Sequence, residues 1–216
     1  MHGPIRVITV EREYGSQGGE FAHDLADRLG WKLLDAELVA GAARAAGVPE
    51  EQAVRFDDRV DPWYYRYGKV FWQDSMYATN GPCDDQIFDC ERMYSLIHKE
   101  VIDAAQAGNC VLVGRGSALA LAGRPGCFHL FVYATMAFKR EWFERSFPTH
   151  AHRAEQEIIA ADKRRAAVIK RHYNQDWCAR GHYHMLLNAA VGTEGMIEGV
   201  LAATGLHACE PLRAGQ

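Results

Sequence analysis

The chain begins with a strand, a glycine-rich loop and a helix, and this order constrains the fold more than any other feature. Residues 5–10 are apolar and β-branched apart from Arg6, which is typical of a buried strand in a parallel sheet. Apolar residues then recur at helical spacing from Phe21 to Leu29, and Gly30 ends that helix. The loop between them reads Gly15-Ser16-Gln17-Gly18-Gly19.

The same alternation continues along the chain and predicts an α/β fold. Further strands are expected at 31–35, 110–113, 127–133 and 183–190, and helices at 36–46, 87–107, 135–147, 152–172 and 193–200. Thr135 and Thr193 are the predicted caps of two of these helices. Strands separated by helices form a mostly parallel sheet covered on both faces, so we expect a three-layer α/β/α domain.

Charge and cysteine usage narrow the class of partner. The formal net charge is -4 and the sequence pI is about 6.2, which argues against a protein that binds the nucleic-acid backbone. The six cysteines show no C-x-x-C spacing, and no run approaches the ~18 apolar residues of a membrane span. We therefore expect a soluble cytoplasmic protein with a small-molecule partner, and neither nucleic acid nor membrane.

Ligands of open parallel sheets bind beyond the carboxyl ends of the strands. This rule selects the loop after Val10, the residue Asp35 and the turn Gly114-Arg115-Gly116. A glycine loop before a helix can direct several backbone N–H groups at a phosphate. The sequence therefore predicts an anion site here, although glycines also serve ordinary tight turns.

The loop departs from the standard phosphate-loop pattern G-x-x-x-x-G-K-[ST]. Glu20 stands where that pattern has lysine, and Phe21 where it has serine or threonine. If the loop holds phosphates, the missing cation comes from elsewhere, for example from Arg12 or from a basic helix folded over the site. Ser16 is a candidate to supply a hydroxyl to Mg²⁺.

Four segments together resemble the cytidylate kinase-like family. They are residues 10–20 (VEREYGSQGGE), 34–38 (LDAEL), 113–116 (VGRG) and 162–166 (DKRRA), and they occur in the family's order. The resemblance implies a P-loop kinase-like fold that transfers the γ-phosphoryl group of ATP, with Mg²⁺, to a nucleoside monophosphate such as CMP. It further implies one domain over residues 1–216, with a helical, aromatic insertion at 48–86 and a lid-like segment at 148–182.

The resemblance also implies roles for individual residues. Residues 15–19 would wrap the donor phosphates, and Asp35 and Arg115 would bind the acceptor nucleotide. Catalytic charge would come from Arg12 and from the lid-like segment through Lys163, Arg164 and Arg165, of which the last two are favoured. Phosphoryl transfer asks mainly for alignment and charge stabilisation, so no nucleophilic triad is required.

Other interpretations remain open at this stage. Asp35 could cap the next helix, Arg115 could be a surface ion-pair partner, and the basic run from residue 163 could be a solvated helix face. Glu20 motivates a second function, a nucleotide-binding sensor or scaffold that has lost the transfer step. The aromatic residues at 63–77 suggest core packing, an acceptor site or a homodimer contact.

Overall fold

The computed structural model describes residues 3–35 and 84–207, with side chains in the second range from residue 94 onward. We number the elements of this part of the chain in order. The strands are β1 (Val7–Arg12), β2 (Lys32–Leu34), β3 (Cys110–Val113), β4 (Cys127–Tyr133) and β5 (Met185–Asn188). The helices are α1 (Gly18–Leu29), α2 (Asp84–Ala107), α3 (Ser117–Ala120), α4 (Met136–Ser146), α5 (Ala154–Tyr173) and α6 (Thr193–Thr204).

The five strands form one wholly parallel sheet in the order β2-β3-β1-β4-β5. β1 is the central strand, and Val7 lies opposite Cys110 on one side and Cys127 on the other. The predicted α/β architecture is therefore confirmed. The glycine loop after β1 and the turn after β3 meet at the same edge of the sheet, because neighbouring parallel strands end together.

Helices cover both faces of this sheet, which explains the unbroken apolar pattern of β1. Ile8 and Val10 belong to the cluster that packs with α1 and α6, which includes Phe21 and Ile197. Val7 faces the opposite way and packs with residues of α2 and β3. Successive side chains of a strand point to opposite faces, so a strand between two layers is apolar at nearly every position.

The predicted element boundaries hold closely except near the carboxyl end. Thr135 caps α4 as expected, its side chain accepting a hydrogen bond from the Phe138 amide. The prediction that Thr193 caps the last helix is wrong, because Gly192, at φ +82°, is the capping residue and Thr193 is the first helical one. A backbone in that region favours glycine over a residue with a capping hydroxyl. The predicted last strand ends early because residues 189–191 form a 3₁₀ turn.

Two other predictions concern parts of the chain that lie mostly outside the described residues. The expected helix at 36–46 and nearly all of the insertion at 48–86 belong to this group.

The lid-like segment at 148–182 is described, and it contains a 3₁₀ turn (Pro148–Arg153) followed by α5. Among the helices of residues 3–35 and 84–207, none combines the length and apolarity of a membrane span.

A histidine lies inside the sheet. His129 on β4 is 4% exposed, and its Nδ1 is 2.9 Å from the Thr9 hydroxyl on β1. The His184 ring stacks on it, and His184 Nδ1 accepts a hydrogen bond from the His129 amide at 2.8 Å. Burial, together with the His184 charge, lowers the pKa of His129 to about 4.

We predict that this histidine makes the fold acid-sensitive. An unfolded histidine titrates near pH 6.5, so the unfolded chain takes up this proton first and stability falls as the pH drops from about 6.5 to about 4. The full contribution is on the order of 3 kcal/mol. Urea unfolding of His129→Asn at a series of pH values should show a flatter decline than the wild type over this window. His23→Asn, at an exposed position, is the control, and equal slopes for all three proteins would contradict the account.

Candidate functional site

The glycine loop leads into the amino-terminal end of α1. α1 begins at Gly18, its capping residue Gln17 has φ +57° and makes no side-chain capping bond, and Phe21 is the first residue whose amide bonds back to Gln17. Gly19 is exposed, with open space where a side chain would stand. The first amides of a helix point outward and carry partial positive charge, so this end suits an anion.

The Arg12 side chain lies against the glycine loop, and Gly18 and Gly114 leave space for it. A Cβ on Gly18 would lie 2.5 Å from the Arg12 Cβ, and a side chain on Gly114 would collide with the Arg12 guanidinium. Glu20, in contrast, is exposed in the first turn of α1. The cation near the loop is therefore supplied by the strand before it.

Three arginines and one aspartate meet beside the loop. Arg12 Nη2 lies 4.0 Å from one carboxylate oxygen of Asp35, and Arg115 Nη2 lies 3.8 Å from the other. Arg165 of α5 donates a hydrogen bond of 2.8 Å from Nη1 to the Arg12 carbonyl. Their cleft is lined by Glu11, Arg12, Gly114, Arg115, Gly116, Arg165, Val168, Ile169 and Trp177. Four residues predicted from separate parts of the sequence thus lie together.

Arg115 is held in an unusual conformation. It has φ +62°, in the left-handed region that costs a residue with a Cβ about 1–2 kcal/mol. Its side chain is 7% exposed, and burial lowers its pKa to about 10 while the Asp35 charge opposes that shift. Arg115 is therefore still cationic at neutral pH.

The lid-like segment contributes one of its three predicted cations to the cleft. Arg165 shares a helix face with Asp162, three residues before it, and this face packs on the loop. Lys163 is exposed and Arg164 is half-buried, and neither lines the cleft. The helical period of 100° per residue turns them away from the side chain of Arg165.

The loop is also attached to α4 and α5 through a buried lysine. Lys139 Nζ lies 3.0 Å from a carboxylate oxygen of Glu13 and 3.1 Å from one of Asp162. Asp162 in turn accepts a 2.7 Å hydrogen bond from the Tyr14 amide, and the Tyr14 ring packs edge-on against Trp142. The helix α5, called the lid-like helix below, is thereby docked on the loop.

Ser16, the predicted source of a Mg²⁺ ligand, is buried within the loop. Its side chain is fully covered, and Oγ donates a 2.8 Å hydrogen bond to the Glu13 carbonyl. This hydrogen bond uses the hydroxyl proton and leaves the oxygen lone pairs for a metal ion, but the residue is 0% exposed. A metal ion could therefore reach this oxygen only if the loop opened around it.

Sequence reasoning did not single out Glu11, Trp177, Lys139 or Glu13. Glu11 carries the one detectable signal, an acid near the end of an otherwise apolar strand. Lys139 carries none, since it reads as part of a charged helix face. Its partners Glu13 and Asp162 are 126 and 23 residues away along the chain.

Comparison with known proteins gives the family. The sequence profile of the cytidylate kinase-like family matches residues 7–190, and this range contains the loop, the arginine cleft and the lid-like helix. The chain belongs to the cytidylate kinase-like family. No curated protein sequence matches it significantly.

Solved structures agree on the fold. An uncharacterised protein from Eubacterium ventriosum has a TM-score of 0.64 at 18% identity, covering 94% of this chain and 99% of its own. Shikimate kinase from Bacteroides thetaiotaomicron has a TM-score of 0.53 at 12% identity, covering 93% and 99%. The fold is accordingly that of the P-loop kinases.

We predict that Lys139 is required for stability of the loop and lid-like helix. Replacing it by methionine leaves the partly buried carboxylates of Glu13 and Asp162 side by side without their shared, buried cation. The free energy of unfolding should fall by about 3 kcal/mol, the usual cost of breaking a buried pair. Urea unfolding at pH 7 measures this change.

The matched control is Lys99→Met. Lys99 also pairs with an acid, Asp103, at 2.6 Å, but its side chain is 67% exposed. Exposed pairs contribute little to stability, so the unfolding midpoint should barely move. Equal losses for the two variants would contradict the assignment of Lys139 as a structural cation.

Proposed function

We propose that this protein is a nucleotide kinase that transfers the γ-phosphoryl group of ATP to a nucleoside monophosphate of the CMP kind. The observation that carries the proposal is the cleft in which Arg12, Arg115 and Arg165 meet Asp35 beside the open end of α1. A helix end and a cation cluster side by side suit two phosphate-bearing ligands.

The proposed division of roles follows the geometry. The loop at residues 15–19 and the first amides of α1 bind the phosphates of ATP. Arg115 binds the phosphate of the acceptor nucleotide, and Asp35 accepts hydrogen bonds from that nucleotide. Family membership and fold support a kinase with two such ligands.

Arg12 and Arg165 supply the charge that the transfer needs. Phosphoryl transfer spreads negative charge over the oxygens of the moving group, and guanidinium groups stabilise that charge with little reorganisation. Arg165 is already anchored to the Arg12 carbonyl, and the indole of Trp177 and the side chains of Val168 and Ile169 exclude water from the inner cleft. The exposed Lys163 and the half-buried Arg164 are proposed only to attract the anionic substrates over a longer distance.

Kinases of this class ordinarily bind ATP with Mg²⁺, which would neutralise charge between the phosphates. Ser16 remains the proposed ligand on condition that the loop opens around its buried hydroxyl. The steps assigned to the arginines do not depend on it.

An ADP-release assay tests the proposal. Purified protein with ATP and Mg²⁺ is supplied with CMP, UMP, AMP, GMP, cytidine or shikimate in turn. We expect turnover with a pyrimidine monophosphate and none with cytidine or shikimate. Absence of turnover with every acceptor, from folded protein, would contradict the kinase assignment.

The second candidate function is a nucleotide-binding sensor or scaffold. It is favoured by the missing phosphate-loop lysine, since Glu20 and Phe21 occupy the end of that pattern. Thermal-shift titration separates the two functions: stabilisation by ATP and CMP without ADP release indicates the sensor.

We predict that Arg115→Ala impairs use of the acceptor selectively. Loss of a buried cation that binds phosphate should raise the KM for the acceptor about tenfold or more, while the KM for ATP changes less than about threefold. Steady-state kinetics with each substrate varied in turn measure this. Arg140→Ala, which removes an arginine 51% exposed on α4, should change neither value. Unchanged acceptor KM in Arg115→Ala would refute its assigned role.

A further inference from the structure

Glu11 stands directly before Arg12, and its carboxylate is buried beneath the cleft. The residue is 4% exposed, and among the described residues it is the one acid in the buried class. Burying a carboxylate costs several kcal/mol unless charges and hydrogen bonds compensate it. The groups that compensate Glu11 therefore indicate what it holds in place.

The first of these groups is the indole of Trp177, in the segment that follows α5. Trp177 Nε1 donates a 3.2 Å hydrogen bond to Glu11 Oε2. The indole is itself fixed, because the Tyr183 hydroxyl donates to the Trp177 carbonyl at 2.6 Å and the Phe131 ring packs edge-on against it. Glu11 thus joins the central strand to the chain behind the lid-like helix.

The second group is the turn after β3. Gly114, Arg115 and Gly116 have φ values of +69°, +62° and +67° in succession. Glycine adopts such values freely, but Arg115 is strained there, and strain of this kind persists only where the surroundings hold it. A Cβ on Gly116 would lie 2.6 Å from the Tyr173 ring, so the turn is closely packed on that side. Glu11, Arg115 and Gly116 line the same cleft, and the Gly116 amide acts against the rise that burial causes in the pKa of Glu11.

Charge links Glu11 to the arginines as well. Burial raises the pKa of Glu11, and the Arg12 and Arg165 charges and the Trp177 hydrogen bond act against that rise. Asp35, and to a lesser extent Glu11, favours the cationic form of Arg115 and opposes the fall in the Arg115 pKa that burial causes. The Glu11 carboxyl group is thus electrostatically coupled to the three arginines of the cleft.

We propose that Glu11 is a positioning residue: its carboxylate holds the turn at residues 114–116 and the Trp177 indole together and so presents Arg115 to the acceptor. The role of Glu11 toward the acceptor substrate rests on the proposed function. Its role in holding the turn and the indole does not.

The structural part is tested by ¹H–¹⁵N NMR spectra of the wild type and Glu11→Gln. Glutamine keeps an oxygen for the indole N–H but removes the charge, and neutral hydrogen bonds are weaker than charge-assisted ones. The signals of the Gly116 amide and the Trp177 indole should both move upfield, the latter assigned with Trp177→Phe. Glu198→Gln, which removes an exposed acid of α6, should move neither. Unmoved signals in Glu11→Gln overturn the proposal.

The kinetic part is tested on the same variants. Glu11→Gln should raise the acceptor KM about tenfold and leave the ATP KM within about twofold, since the phosphate loop is not altered. A general loss of structure would instead change both values, and that result, or an unchanged acceptor KM, overturns the positioning role. If the wild type phosphorylates none of the acceptors, the proposed function fails while the NMR comparison still decides the structural part.

A second variant tests the proposal if Glu11→Gln folds poorly. Trp177→Phe removes the indole donor and keeps an aromatic ring against Phe131. The Gly116 amide signal should shift and the acceptor KM should rise several-fold. No change in either would contradict the proposal.

Discussion

The structure depends on the compensation of buried and partly buried charges at one edge of the sheet. Four basic side chains and four acidic ones lie together around the glycine loop. They are Arg12, Arg115, Arg165 and Lys139, and Glu11, Glu13, Asp35 and Asp162. A buried charge without a partner is costly, so the loop, the turn after β3 and the helix α5 are held in mutual register by this set. In the proposed function, phosphates that enter the cleft would replace some of these ion pairs.

In the proposed function, this balance accounts for phosphate binding by a loop without the usual lysine. The usual lysine is a flexible cation at the helix start, whereas here Arg12 lies near the same region at the end of β1, in space left by the glycines at 18 and 114. Arginine offers a planar set of donors that suits phosphate oxygens. The acid at Glu20 is exposed on α1 and belongs to the solvent side of the loop.

Much of the fold was predictable from sequence because its signals are local. The predicted strands at 110–113 and 127–133 have the same bounds as the observed ones. Each is a short, mostly apolar run that begins directly after a turn containing glycine. The site was predictable where it follows strand ends, as for Asp35 and Arg115. Lys139 and Glu11 were missed because their roles arise from partners distant in sequence. A buried charge can be recognised only when both members of the pair are placed.

The lid-like segment shows the same limit. Its basic run indicated cations, but the choice among Lys163, Arg164 and Arg165 depends on how α5 rotates about its own axis. That rotation is set by Ile158 and Ala161, which pack with Tyr14 and Phe143. A run of like charges carries no information on which member faces inward.

The most direct test of the account is a crystal structure with a non-hydrolysable ATP analogue and CMP. The account predicts phosphate oxygens within hydrogen-bond distance of the Gly18 and Gly19 amides, and a second phosphate against the Arg115 guanidinium. Both ligands bound at full occupancy elsewhere on the protein, with the end of α1 free of phosphate, would contradict it.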